Sequence, residues 1–221
     1  MRKGERDAKT PSFLNSNDTS MHYEQYEVND SVINIPIVDN YKDCLKLIKS
    51  DMFRARRRPI STWYVIKSVF IPFNNTTLLW FRLSQHLKGF FYPLCRYQFA
   101  RVSRKYNVDL SPRTKVGYGF YIGHGTCMVI NKRTIIGNNV NLSQFLNIGS
   151  VDKKPAIIGD NVYIGPNVCL VEHVKIGSNS TIGAGAVVTK DVPDNATVAG
   201  VPAKVLHYDK PGRLVCYRYK I

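Results

Sequence analysis

Two side chains of this 221-residue sequence are the first candidates for chemistry: His124 in Ile-Gly-His-Gly-Thr and Asp109 in Val-Asp-Leu-Ser-Pro, fifteen positions apart (124 − 109). An imidazole can take a proton near neutrality, and a carboxylate on its other nitrogen fixes the tautomer and stabilises the imidazolium that forms. Such a base removes the proton of a hydroxyl as its oxygen attacks an acyl carbon. A histidine followed by glycine also suits a tight corner satisfied by backbone, so Asp109 separates the two readings. His22, His86, His173 and His207 have no comparable setting, and His173 in Val-Glu-His-Val reads as a surface or turn residue. The five cysteines, at 44, 95, 127, 169 and 216, are odd in number and show neither CxxC nor zinc spacing. No metal site and a reducing cytoplasm are therefore expected.

The element that must position the pair is a beat of six. Aliphatic residues recur at Ile158, Ile164, Leu170, Ile176, Ile182 and Val188, and Gly159, Gly165, Gly177 and Gly183 follow four of them. Val116, Ile122 and Met128, then Ile136, Leu142 and Ile148, share the beat after a two-residue slip and an interruption from Ser150 to Pro155. Six fits neither a 3.6-residue helix nor a two-residue alternation. It predicts a solenoid of short parallel strands with the aliphatic side chains inside. Gly-Asn-Asn at 137–139, Gly-Asp-Asn at 159–161 and Gly-Ser-Asn at 177–179 supply corners that tolerate positive φ. One hexad cannot bury its own side chain, whereas stacked coils can.

This stretch resembles the hexapeptide-repeat acyltransferases of the left-handed parallel β-helix family. Within that family it is similar to serine O-acetyltransferases and to the serine-acetyltransferase-like enzymes of bacterial surface-polysaccharide clusters. Asp109, His124, Asn141 to Gln144 in Val-Asn-Leu-Ser-Gln, and the closing Thr181 to Pro202 carry the resemblance, over about half of the chain. It implies a mainly β fold with coils of about 18 residues, each rising one strand spacing of about 4.8 Å. It further implies a metal-independent O-acetyltransferase that uses acetyl-CoA and works as a homotrimer. His124 is then the base, Asp109 its orienter, and the acetyl group passes directly to the acceptor. Gly149 and Ser150 match the place where relatives offer a backbone N–H to the oxyanion. Gly183, Ala184, Gly185 and Ala186 leave room for the pantetheine arm, and Lys190 and Lys204 meet its phosphates. Tight corners also account for the small residues, and Lys204 also suits a cap on the last coil.

The acceptor is where the sequence departs from the serine enzymes. They carry an aspartate just before the catalytic histidine and an Arg-His pair in the following loop; here those positions hold Gly123, Lys153 and Lys154. A buried ammonium without its carboxylate costs several kcal/mol. The expected acceptor is therefore a sugar hydroxyl of a bacterial surface polysaccharide or its lipid- or nucleotide-linked precursor, held near Gly123, Gln144, Lys153 and Lys154. Two lysines in an exposed loop also read simply as solvated. Serine O-acetylation for cysteine biosynthesis is the alternative, and a non-catalytic β-helix scaffold a third reading.

Four segments follow: 1–38 as a mobile polar arm, 39–107 as a basic aromatic-rich region of two or three helices, 108–206 as the β-helix, and 207–221 as a basic tail that covers its open end. Residues 41–108 hold 14 Lys or Arg against Asp43 and Asp51, so they carry +12 of the formal +15. Trp63, Tyr64, Phe70, Phe73, Trp80, Phe81, Phe90, Phe91 and Tyr92 lie among these charges. Packing against the base of the β-helix accounts for such a mixture, and so does peripheral contact with the inner face of a membrane. Nucleic acid is not expected, since no binding motif accompanies the charge. The N-terminus is too polar for a signal peptide and no apolar run approaches the roughly 20 residues of a membrane span. The terminal Ile221 coincides with the C-terminal isoleucine by which serine enzymes bind a partner synthase, but the residues before it do not match.

Overall fold

The computed structural model describes residues 21–71, 76–150, 154–171 and 173–220. Residues 1–20 of the expected arm, Phe73, Lys153 and Ile221 lie outside them.

Residues 23–36 form an antiparallel hairpin, β1 (Tyr23–Val28) and β2 (Ser31–Pro36), in place of a mobile arm. Its two-residue turn has Asn29 at φ 52°, a conformation asparagine tolerates. Val28, Ile33 and Ile35 bury against Ile135 of the solenoid, and Asn29 and Asn34 hydrogen-bond to Val192 and Asn138. That apolar contact supplies the order a polar composition alone does not.

Among the described residues four helices follow, more than the two or three expected: α1 (Tyr41–Arg56), α2 (Thr62–Phe70), α3 (Thr76–Gln85) and α4 (Tyr92–Tyr106). Asn40 and Ser61 cap the first two, and Arg57 and Asn107 end α1 and α4 in the left-handed region. Leu78, Trp80, Phe81, Cys95 and Phe99 continue the solenoid's apolar core, so α3 and α4 close its first coil. No helix among the described residues is long and apolar enough to cross a membrane.

The solenoid has five coils and is a left-handed β-helix. The first contains β3 (Val108–Leu110), β4 (Lys115–Val116) and β5 (Tyr121–Ile122). The second contains β6 (Met128–Ile130), β7 (Ile135–Ile136) and β8 (Asn141–Leu142), and the third β9 (Asn147–Ile148), β10 (Ile157–Ile158) and β11 (Tyr163–Ile164). The fourth has β12 (Cys169–Leu170), β13 (Lys175–Ile176) and β14 (Thr181–Ile182); the fifth has β15 (Val187–Val188) and β16 (Thr197–Ala199). Corresponding strands pair in parallel as three faces: face one runs β3-β6-β9-β12-β15, face two β4-β7-β10-β13, and face three β5-β8-β11-β14-β16. A final strand, β17 (Lys204–His207), pairs antiparallel with β16.

Corners recur three residues after the inward aliphatic position, where φ is positive at Asn139, Asn161, Asn167, Asn179 and Asn195 (54° to 64°). Asparagine tolerates this region, which explains its periodic use. His173 occupies the same place after Leu170, at φ 67°.

Beyond β17 the tail does more than cover the open end. It turns back along the corner between faces two and three: Gly212 donates to Asn179 O at 2.6 Å, and Tyr219 exchanges two hydrogen bonds with the Asn139 side chain. The Tyr219 ring packs on Phe53 of α1 and Tyr118 of the first coil.

Candidate active site

His124 lies in the corner from face three to face one, the corner that breaks the beat. Ile122 and Ile130 are eight residues apart (130 − 122), while Leu142 and Ile148 one coil above are six apart (148 − 142). Positive φ moves from the regular position to His124 and Cys127, both at 50°. Two extra residues push this corner outward and leave the imidazole exposed. Hydrogen bonds from Cys127 N and Thr126 Oγ1 to Tyr106 O, at 2.9 and 3.1 Å, tie the loop to the end of α4. A cleft of about 510 Å³ opens beside it, walled by Thr76 and Leu78 of α3, Tyr106, Tyr121 and Thr126.

Asp109 is at the centre of β3, with Val108 and Leu110 turned inward and its own side chain exposed. It lies one strand below Val129 on face one. The structure thus brings both expected residues to the first turn of that face, but no hydrogen bond or ion pair joins them and Asp109 is not in the wall of the cleft. Among the described residues no group of three His, Cys, Asp or Glu side chains is placed to hold a metal ion.

The other expected residues divide between two corners. On His124's side, Gln144 is half-buried one coil above, and Gly183, Ala184 and Gly185 form the fourth-coil corner. Gly183 N–H donates to Val198 O and Gly185 N–H to Pro166 O. A Cβ on Gly183 would stand 2.9 Å from that of Ala199, and Gly185 has φ 70°. Lys204 is exposed where β17 starts, paired with Ala199, so it adjoins this corner. Three strand spacings separate the His124 and Gly183 levels, about 14 Å along one edge.

The opposite border of face one carries Gly149, Ser150, Lys154 and exposed Lys190. Ser150 Oγ donates to Lys154 O at 3.0 Å and Lys154 is exposed. Gly149 N–H is engaged with Leu170 O at 3.1 Å, so it belongs to the coil ladder rather than being available to an oxyanion. Gly123 N–H is likewise held by Leu142 O at 2.8 Å. Within one chain His124 and Lys154 therefore stand on different edges of the prism.

Sequence reasoning passed over Phe145, directly above Thr126, to whose carbonyl its N–H donates at 3.2 Å. It is 52% exposed at φ 60°, where the neighbouring corners use asparagine or glycine. The signal was its place in the beat: three residues after Leu142, a bulky side chain is out of type.

Residues 155–190 match the family model described as Bacterial transferase hexapeptide (six repeats). The solenoid is a hexapeptide-repeat transferase fold. Over 111 residues the chain is 40% identical to "Serine acetyltransferase 3, mitochondrial" of Arabidopsis thaliana, a match covering 48% of this chain and 28% of that protein. The chain thus spans less than a third of that plant protein. A serine acetyltransferase structure from Neisseria gonorrhoeae in complex with serine is 30% identical, with TM-score 0.61, over 74% of this chain and 69% of that one. Another serine acetyltransferase structure, in complex with CoA, gives 26% identity and TM-score 0.59 over 74% and 68%.

These likenesses correct the expected acceptor. The similar proteins are serine acetyltransferases, and a sugar hydroxyl is overturned. Gly123 is a single position. An acceptor is held by every polar group around the base, so one missing carboxylate does not decide it.

Proposed function

We propose that the protein transfers acetyl from acetyl-CoA to the hydroxyl of L-serine, in a cleft between copies of a homotrimer. The observation that carries this reading is the likeness to the serine-bound structure, which extends over 74% of the chain and includes more than the repeats. The edge geometry supports it. His124 stands at one end of a corner column and the open Gly183–Gly185 corner about 14 Å along it, a span suited to an extended pantetheine arm with Lys204 beyond. Because His124 stands on a different edge from Ser150 and Lys154, a neighbouring copy is the source of the Ser150 and Lys154 that complete each cleft.

In this reading His124 takes the serine hydroxyl proton while the oxygen attacks the thioester carbonyl. Collapse breaks the C–S bond, and the imidazolium returns the proton to the departing thiolate. Asp109 orients the ring through its other nitrogen once substrate closes the cleft. The test is thiol release from acetyl-CoA with L-serine by the purified chain. His124→Ala is expected to lower kcat about 10²- to 10⁴-fold. Wild-type rates in that variant would remove the base assignment, and absence of serine-dependent release from the unaltered chain would remove the acceptor.

A further inference from the structure

Helices α2 and α4 of the helical layer each present an exposed row for which acetyl transfer has no use. Along α2, Trp63, Ile66 and Phe70 follow helical spacing on the solvent side and are 71%, 46% and 79% exposed, with exposed Lys67 among them. Phe90, Leu94 and Tyr97, leading into and along α4, are 88%, 54% and 66% exposed, and the same row continues into exposed Arg101 and Arg104.

The charge of this layer has one sign. Its only acids are Asp43 and Asp51; both are buried, and Asp51 is paired with Arg82. What faces solvent is cationic, including Arg58, Lys67, Lys88, Arg96, Arg101 and Arg104. We propose that the layer docks the protein peripherally on an anionic phospholipid bilayer, with the aromatic rings at headgroup level and the cations on lipid phosphates. Large rings beside Lys and Arg on a short helix suit that depth, since the cations keep their heads in water while their stems cover apolar surface. A second copy of the layer would set cations against cations. Nucleic acid would satisfy the charges but leave Ile66 and Leu94 uncovered.

The chain has two tryptophans, and Trp80 is only 9% exposed, so a change in emission on docking reports Trp63. The full chain is to be sedimented with vesicles of phosphatidylglycerol in phosphatidylcholine and with phosphatidylcholine alone. Expected are at least a tenfold preference for the anionic vesicles at about 0.1 M salt, a blue shift of emission, and loss of both near 1 M salt. Arg58→Glu with Lys67→Glu, and separately Trp63→Ser with Phe70→Ser, should each weaken partition about tenfold while leaving serine-dependent thiol release at the wild-type rate. Equal or absent partition to the two vesicle types overturns the proposal. So does tighter binding to duplex DNA than to vesicles, or a doubled solution mass with Trp63 shielded from iodide quenching.

Discussion

In the solenoid Ile136, Ile158 and Ile176 stack one above the other, each repeating its neighbour's environment. In the helical layer the apolar packing of α3 and α4 is joined by polar contacts that occur once each, centred on one guanidinium. Arg82 is fully buried; it donates to both Asp51 oxygens at 2.7 and 3.2 Å and to the carbonyls of Val116 and Gly117, while Asp51 accepts from Phe120 N–H at 2.8 Å. Arg54 adds bonds to Gly119 O and Asn141 Oδ1. One region is redundant and apolar, so a local loss is shared among like neighbours. The polar joint of the other has one copy of each contact, so losing one partner leaves a buried charge.

That contrast can be broken most sharply at the joint. Asp51→Ala should cost about 3–5 kcal/mol in denaturant unfolding, because it strands the Arg82 charge, whereas Asp51→Leu with Arg82→Met should recover only part of the loss, since the carbonyls of Val116 and Gly117 and the Phe120 N–H lose these partners. Ile158→Ala, in the middle of a stack, should cost about 2–4 kcal/mol by the same measurement, and Ile136→Ala or Ile176→Ala should give similar values if the coils are equivalent. Phe145→Asn should instead stabilise by about 1 kcal/mol, since it places a tolerant residue at φ 60°. The smallest effect is kinetic. Burial pushes the Cys44 thiol up to about 12. A raised pKa leaves less thiolate at pH 8, so Cys44 should resist iodoacetamide until the helical layer unfolds, while exposed Cys127 and Cys216 react in the native state. Mass spectrometry of the alkylated peptides checks this.

The same contrast governs what could be read in advance. Every coil repeats a local rule, so the aliphatic beat and the Gly-Asn corners are visible in the sequence; the two-residue slip is visible too, but the sequence puts it after Met128, whereas the structure stacks Ile130 under Ile148 and puts it at the His124 corner. The docking of α1 and α3 rests on pairs such as Asp51–Arg82, 31 residues apart, which no period announces. Arg54 and Arg82 add to the formal charge of residues 41–108, yet both are buried. At the site, His124 and Asp109 were legible as types and spacing. Their separation in this chain was not, because it depends on how a corner with two extra residues folds outward. Ser150 and Lys154 were named, but their place on another edge follows from the coil count rather than from their own residues.

The returning tail changes what kind of stack the solenoid is. A pile of repeats normally unzips from its ends, one coil after another, because each unit touches only its neighbours. Here the segment that leaves the fifth coil is fastened by Gly212 to the fourth and by Tyr219 to the second, and its last ring rests on α1. Fraying at the far end must therefore also release contacts at the base, which couples the two extremities into one cooperative unit.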